Sequence, residues 1–397
     1  MDSIVNYLRI GVEYYKINNI PMSIDSIKVL QRWNKQTIID DFGKKQIKEI
    51  PKYNGFCMIP SHNNYKSEIN EFYNKYSPLD YDLVDGNWQN IEMFLRHIFE
   101  EHFDLAIDYL SILWHFPNQK LPILCLVSSE RNTGKTTFLN LLKLLFQSNV
   151  TINTNEDFRS RFNSDWAGKL IIAVDEVLLD RREDSERIKN LATSINYKSE
   201  SKGKDKEEVE FIGKFVMCSN NEDSFIKMDS LEIRYWVRKV KPLEKANPNL
   251  LKKLKEEIPA FASYLQNRII TTKNATRMWF TPQQIETEAL QRLVKGNKTT
   301  IEKELIEFIS EQLELFELDE ICFPAKHLVK VLNDCGVKCS TTYLGSILFN
   351  NYNMESKNSS YKLYRSEFMS NGEQSICNFT NEKGRFFRFK RKDFIKE

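Results

Sequence analysis

Ile123-Leu-Cys-Leu-Val127-Ser-Ser129-Glu-Arg-Asn-Thr-Gly134-Lys135-Thr136-Thr137-Phe-Leu-Asn-Leu-Leu is the stretch on which the reading of this chain turns. Five apolar residues predict a buried strand. A polar loop closing on Gly-Lys-Thr follows, and then TTFLNLLKLLF, whose apolar spacing predicts a helix. Strand, loop and helix in that order are what a phosphate-binding loop requires. The backbone N–H groups of Ser129, Glu130, Arg131, Asn132, Thr133 and Gly134, with the helix start at Lys135, Thr136 and Thr137, would point at a phosphate. Lys135 would bring a positive charge to the β and γ oxygens of ATP, and the Thr136 hydroxyl would ligate Mg²⁺. One departure stands out: Ser129 occupies the place where this pattern usually has its first Gly. The competing reading of the stretch by itself is a glycine turn capping a helix that happens to carry a lysine.

Three later segments bear on that choice. Lys169-Leu-Ile-Ile-Ala-Val-Asp175-Glu176 is an apolar strand ending in two acids. Asp175 would complete the Mg²⁺ shell, and Glu176 would orient and deprotonate an attacking water. Lys214-Phe-Val-Met-Cys-Ser219-Asn220-Asn221 is a second apolar strand, and its Asn220 would sense the γ-phosphate and polarise the water. An Asn after a strand is by itself usually a turn former; its order after the loop and the acids is the argument. Ile233-Arg234-Tyr-Trp-Val-Arg238 is a short strand with a basic residue at each end. Arg234 would serve a neighbouring subunit as an arginine finger, against the plainer reading of a surface ion pair. Apolar strands alternating with helical runs over residues 121–240 predict a parallel sheet covered by helices, an α/β fold.

The remainder sets bounds. The chain has 397 residues, with 41% apolar and 28% charged, an ordinary globular composition. Its net charge of +2 makes any nucleic-acid surface a local patch. The longest apolar run, Leu121–Val127, is far short of a membrane span, and the start MDSIVNYLRI has no signal-peptide pattern, so a cytoplasmic protein without a membrane partner is expected. Seven scattered cysteines predict reduced thiols. His97, His102 and His115, in the helical stretch Ile91–Trp114, read as packed or surface residues. Residues 1–50 read as short helices, from the apolar spacing of IDSIKVLQRW, and Pro51–Asn87 as loop-rich. The expected organisation is a helical and loop-rich N-terminal region (1–90), a core (91–245), a helical linker (246–300) and a C-terminal module (301–397).

The order of these motifs resembles superfamily 3 helicases, the AAA+-type motors of viruses, phages and plasmids. Longer strings are similar to the helicase part of phage and mobile-element primase-helicases of the poxvirus-like group: YNKYSPLDY, FLRHIFEEHFDLAIDYLSILWHFPNQKLPI, FNSDWAGKLIIAVDE and FVMCSNNEDSFIKMDSLEIRYWV. The resemblance spans roughly residues 50–285. It implies an AAA+-like P-loop NTPase core, ATP and Mg²⁺ at subunit interfaces of a ring, usually a hexamer, and single-stranded DNA in its pore. The N-terminal region would then be an oligomerising collar. A primase domain looks absent and would sit on a separate chain. The family also implies a hairpin reaching into the pore between the acidic pair and the Asn strand. Here Lys202-Gly-Lys204 sits between two strand-like runs and would place cations at its tip. A solvated lysine-rich loop is the plain alternative. As a phage or mobile-element protein, the chain would work in a bacterial host's cytosol.

The C-terminal module begins at a break in charge. Residues 302–320 carry eight acids and one Lys, whereas residues 321–397 carry 13 Lys and Arg against 7 acids. Helices at Ile301–Phe316, Pro324–Asn333 and Ser340–Phe349, then strands at Ser360–Tyr364 and Gly384–Lys390, resemble a winged helix that would bind duplex DNA. In RFFRFKRK, Phe387 and Phe389 would turn inward while Arg388 and Lys390 face DNA. Two other functions compete with a helicase. One is an ATP-dependent replication initiator or loader that unwinds little; the other is an AAA+-type signalling or defence ATPase.

Overall fold

The computed structural model describes residues 4–21, 26–159, 166, 168–179, 181–199, 207–228, 232–245, 247–368 and 374–395. Its chain divides into two compact units, Met1–Lys227 with Arg234–Gln291, and Met228–Ile233 with Arg292–Glu397.

The first unit opens with strands, not with the short helices that the sequence predicts. Strands β1 (Tyr7–Ile10), β2 (Glu13–Pro21) and β3 (Ser26–Trp33) form an antiparallel meander. Helix α1 (Lys35–Phe42) packs on it, and β4 (Lys52–Tyr53) adds a parallel pairing to β1. The apolar residues of SIKVLQRW fit a helix face and a strand about equally. Pairing of β3 along eight residues of β2 settles the state, because a strand's stability comes from its cross-strand partners. Three very short strands follow, β5 (Gly55–Cys57), β6 (Glu68–Ile69) and β7 (Phe72–Asn74), within the expected loop-rich stretch. That stretch is tied to the core by exchanged bonds between the Ser77 backbone and the Asn149 side chain at 2.9 and 3.0 Å, and by Tyr81 Oη donating to Leu145 O at 2.6 Å.

Helices α2 (Gln89–Phe99) and α3 (Phe103–His115) lead into β8 (Ile123–Val127) and α4 (Lys135–Phe146). Then come β9 (Val150–Asn153), α5 (Asn155–Arg159), β10 (Ile171–Val174), α6 (Arg182–Thr193), the hairpin strands β11 (Asn196–Ser199) and β12 (Glu207–Glu210), β13 (Lys214–Ser219) and β14 (Tyr235–Lys239). Five strands form one all-parallel sheet in the order β14-β8-β13-β10-β9. Every residue of β8, β10 and β13 is buried, which explains why these strands read as unbroken apolar runs. Leu124, Leu126, Ala173 and Val216 face a core built with α2, α3, α4 and α7 (Leu250–Asn267). Phe215, on the other face, packs against Phe158 of α5 and Trp166. At Thr281 a capping box with Gln284 starts α8 (Pro282–Ile285). Helix α9 (Glu288–Gly296) follows.

The second unit contains α10 (Thr300–Leu315), β15 (Glu320–Phe323), α11 (Ala325–Asp334), α12 (Thr341–Tyr352), β16 (Lys357–Phe368), β17 (Gln374–Lys390) and α13 (Arg391–Phe394), with sheet order β15-β17-β16. Ser340 caps α12 by accepting from Tyr343 N. Phe387 and Phe389 are buried with Leu305, Ile309, Leu328 and Leu344, and Arg388 and Lys390 are exposed. Two features exceed the sequence reading. The four-residue β15 is too short to register as a pattern. The β16–β17 ribbon is longer than expected, because its outer part is rich in Lys, Asn, Ser and Thr and carries little apolar signal. Among the described residues no helix is long and apolar enough to cross a membrane.

Candidate active site

The sheet order decides what meets at its carboxyl edge. The chain leaves β8, crosses to the far edge at β9, and returns through β10 and β13 before reaching β14 on the opposite side of β8. Ligands of open α/β sheets bind at such reversals, beyond the carboxyl ends of the strands. Loop 128–134 after β8, Asp175-Glu176 after β10 and Ser219-Asn220 after β13 converge there. They line a cleft of about 400 Å³, together with Thr136, Thr137, Cys218 and Leu243. A second concavity of about 490 Å³, lined by Pro60, His115, Phe116, Pro117, Asn118 and Gln119, holds no carboxylate or ammonium group.

Local constraints explain the loop's shape. Gly134 has a φ of 93°, and a Cβ there would lie 2.9 Å from the Phe94 ring, so both backbone and space require glycine. Asn132 is also left-handed, and its carbonyl accepts from Leu243 N at 2.9 Å. Lys135 is only 8% exposed; its Nζ donates to Ser128 O at 3.3 Å and Thr133 Oγ1 at 3.2 Å, so its charge points back across the loop. Burial lowers its pKa from the ordinary lysine value, with the nearby carboxylates acting against that shift. Thr136 Oγ1 donates to Asp175 Oδ2 at 2.9 Å, joining two residues 39 positions apart. Glu176 is exposed at the cleft with a φ of 52°, a left-handed backbone that is uncommon for a glutamate and concentrates at functional sites. Its N–H donates to Asp175 Oδ1 at 3.1 Å. Asn220 and Asn221 divide the labour. Asn221 Oδ1 accepts from the N–H groups of Asp223 and Ser224 and forms the turn, while Asn220 lines the cleft.

Ser129, the residue that departs from the usual loop pattern, has a partner. Its N–H and its hydroxyl both donate to Glu222 Oε1, at 2.8 and 3.0 Å. Glu222 is 6% exposed and pairs through Oε2 with Lys239 Nζ at 2.9 Å. Burial would raise the Glu222 carboxyl, but the Ser129 N–H and the Lys239 ammonium together hold it below the ordinary Glu value. Nothing in the Asn-Asn-Glu-Asp string reveals this, since Ser129 is 93 residues away. His97, which reads from the sequence as a packed or surface residue, is half-buried against the loop. Its Nε2 lies 3.0 Å from Thr133 O, and since a carbonyl only accepts, His97 donates there and pins the loop to α2.

The remaining candidates lie elsewhere. Arg234 is half-buried at the amino end of β14, where its carbonyl accepts from Ile123 N. That is the opposite end of the sheet from the cleft, about 16 Å away along a five-residue strand. Arg238, at the cleft end, is buried and bonds Glu101 Oε1 at 2.5 Å and Phe99 O at 2.9 Å, a structural tie to α2. The hairpin β11–β12 stands in the chain between the acidic pair and Asn220, with Lys198 opposite Glu208. Lys202 and Lys204 lie outside the described residues. In the second unit Arg388 Nη1 is 3.1 Å from Glu320 Oε1.

These features define an α/β protein with a polar cleft at the carboxyl edge of a parallel sheet. Comparisons with known proteins agree on that architecture. The structure of the NrS-1 C terminal region (305-718) is similar, with TM-score 0.64 and 15% identity over 96% of this chain and 95% of that one. A second apo form of that region gives TM-score 0.63 and 18% identity over 89% and 93%. The structure of an SCCmec type IV Cch active helicase is similar at TM-score 0.38 and 13% identity over 87% and 89%, too loose a likeness to argue from. Residues 126–234 match a family described as "Family of unknown function (DUF5906)", a segment that holds the two acids, Asn220 and Arg234. No curated protein matches the chain.

Proposed function

We propose that this chain is an ATP-dependent DNA helicase or translocase of superfamily 3, with an AAA+-type P-loop core, acting in replication of a phage or mobile element in the bacterial cytosol. The observation that carries the reading is the Thr136–Asp175 hydrogen bond, in a cleft that also holds Lys135, Glu176 and Asn220. An isolated Gly-Lys-Thr turn would have no reason to meet a strand-end acid pair and a strand-end amide. The fold shared with the NrS-1 C terminal region supports it.

The proposed chemistry follows from position. Backbone N–H groups of residues 131–137, in the loop and at the start of α4, bind the phosphates of ATP, while those of Ser129 and Glu130 are held by Glu222 and Ser128. Lys135 turns from its loop partners to the β and γ oxygens. The Thr136 hydroxyl and the Asp175 carboxylate are hard oxygen donors side by side, a set that suits Mg²⁺ with its remaining positions hydrated. When bound there, Mg²⁺ would neutralise charge on the β and γ oxygens. Glu176, free of the Thr136 contact, takes the proton of the attacking water, and Asn220 orients that water against the γ-phosphate. Arg234 is too far to act in its own cleft, so its proposed role is in trans, at the γ-phosphate of a neighbouring protomer in a homo-oligomeric ring, a hexamer by family resemblance. The β11–β12 hairpin would carry Lys202 and Lys204 to single-stranded DNA in the pore. Residues 91–245 would form the ATPase core, residues 1–90 a collar built on a sheet, and residues 301–397 a winged-helix module holding duplex DNA through Arg388 and Lys390. A primase, if used, would be a separate chain.

Strand displacement on a forked DNA substrate tests the proposal. Wild type should unwind with ATP, and the double variant Lys202→Ala, Lys204→Ala should bind ATP but not unwind. ATP-dependent duplex binding without displacement would favour the initiator reading. Turnover indifferent to DNA would favour the signalling ATPase.

A further inference from the structure

The β16–β17 ribbon has two chemically different faces. Directly paired residues share a face, and so do alternate residues along each strand. The register pairs Asn358 with Arg385, Ser360 with Lys383 and Lys362 with Asn381. These six side chains stand on one face and all are exposed. Each pair joins one cation to one small uncharged polar residue, and no acid falls among them. The opposite face has an apolar centre, with Leu363 and Phe386 buried and the Tyr361 ring 4.7 Å from that of Phe386, and it also carries Lys357, Ser359 and Thr380. Glu382, paired with Tyr361, belongs to that side. Successive pairs on the cationic face are about 7 Å apart along the strands.

We infer that Lys362, Lys383 and Arg385 form a ladder that binds the phosphate backbone of duplex DNA, and that this ladder, rather than Arg388 and Lys390, is the main nucleic-acid contact of the second unit. Asn and Ser are residue types that supplement Lys and Arg at phosphates and sugars. The next pair outward on this face, Tyr364 with Phe379, is aromatic, and Lys362 Nζ lies 4.4 Å from the centre of the exposed Phe379 ring; the duplex assignment rests on the three cation–polar pairs, and the single-strand arm of the test separates it from base stacking on that ring. Arg388 is already engaged by Glu320. Helix α12 has the sequence TTYLGSILFNNY and carries no Lys or Arg, so the ribbon rather than this helix supplies the positive charge. Contact of this kind is independent of base sequence. The inference rests on the proposal that this unit binds DNA, and not on the ATPase reading.

The test is fluorescence anisotropy of the full chain with short labelled duplexes of two unrelated sequences and with single strands, across a salt series. Lys362→Gln, Lys383→Gln and Arg385→Gln together should weaken duplex binding at least about 10-fold for both sequences and lower the slope of log K against log salt by roughly 2 to 3, at roughly 0.9 per phosphate contact. Arg388→Gln with Lys390→Gln should change affinity less than about 3-fold. All five side chains are exposed, and an unshifted melting temperature would show that the variants fold. Unchanged duplex binding and slope in the triple variant would overturn the ladder. A selective loss of single-strand binding, with duplex binding intact, would overturn it as well. A wild type that ignores duplex DNA would overturn the DNA-binding role of the unit itself, a result distinguishable from the first.

Discussion

The two regions proposed here to bind phosphate are built differently. In the loop after β8, the principal charged groups are buried or nearly so and already committed: Lys135 to Ser128 O and Thr133 Oγ1, Glu222 to Ser129 and Lys239. On the β16–β17 ribbon the cations stand in solvent, Lys383 and Arg385 opposite short polar residues and Lys362 over the Phe379 ring at 4.4 Å. Desolvated and fixed charge suits one small anion at one geometry, because a low-dielectric, preorganised site strengthens each contact. Solvated charge at regular spacing suits a polymer, whose binding is dominated by counterion release and falls with salt. The contrast teaches that lysine content alone does not locate a site; the fixation of the charge does.

Four perturbations sharpen that comparison, from the largest expected effect down. Arg234→Ala should cut kcat for ATP about 10³-fold or more, with nucleotide affinity nearly unchanged, if the residue acts in trans. Mixing wild-type protomers with Glu176→Gln, Arg234→Ala double variants would show whether the arginine serves a neighbour's site. Lys135→Ala should weaken ATP binding about 100-fold, measured with a fluorescent analogue, through loss of charge-assisted bonds to phosphate. Glu222→Ala should weaken it about 10-fold, since Ser129 then loses the carboxylate that accepts from both its N–H and its hydroxyl, while Glu222→Gln, which keeps an acceptor for Ser129, stays within about 3-fold. Ser129→Ala should add little to Glu222→Ala, because the two remove the same bonds; additive losses would refute the anchor.

The fourth and smallest effect is one of pH. The folded pKa of Glu222 is depressed, so its contribution to stability is complete above the ordinary Glu value near 4.5 and is lost as pH falls through the lower folded value. Urea midpoints between pH 6 and pH 3, wild type against Glu222→Gln, should converge at the acid end. The triple ribbon variant leaves Glu222, Ser129 and Lys239 in place, so it should follow the wild-type curve throughout.

How much of this the sequence revealed depends on where each residue's partners lie. Strands β8, β10 and β13 were legible because both their faces are buried, leaving unbroken apolar runs that end in the residues of the cleft. Thr136, Asp175, Glu176 and Asn220 were legible for the same reason: each follows directly on such a run or on the glycine turn. Strand β3 was not, because Ile27, Val29, Leu30 and Trp33 satisfy a helical spacing too, and its pairing with β2 decided the matter. Glu222 and His97 were hidden because their partners, Ser129 and Thr133, are far away in the chain and the residues themselves sit in ordinary turn and helix contexts. The two-faced ribbon was hidden because register, not composition, puts Lys362 beside Asn381 and Arg385 beside Asn358.

The central claim is that the cleft hydrolyses ATP in the service of DNA. The most direct measurement is steady-state ATP hydrolysis with and without single-stranded DNA, wild type beside Glu176→Gln. The account predicts turnover that rises on adding DNA, and a variant that retains ATP affinity but loses about 10² to 10⁴-fold in rate, the range for removing a general base. Equal turnover in wild type and variant, or turnover that DNA does not change, would contradict it.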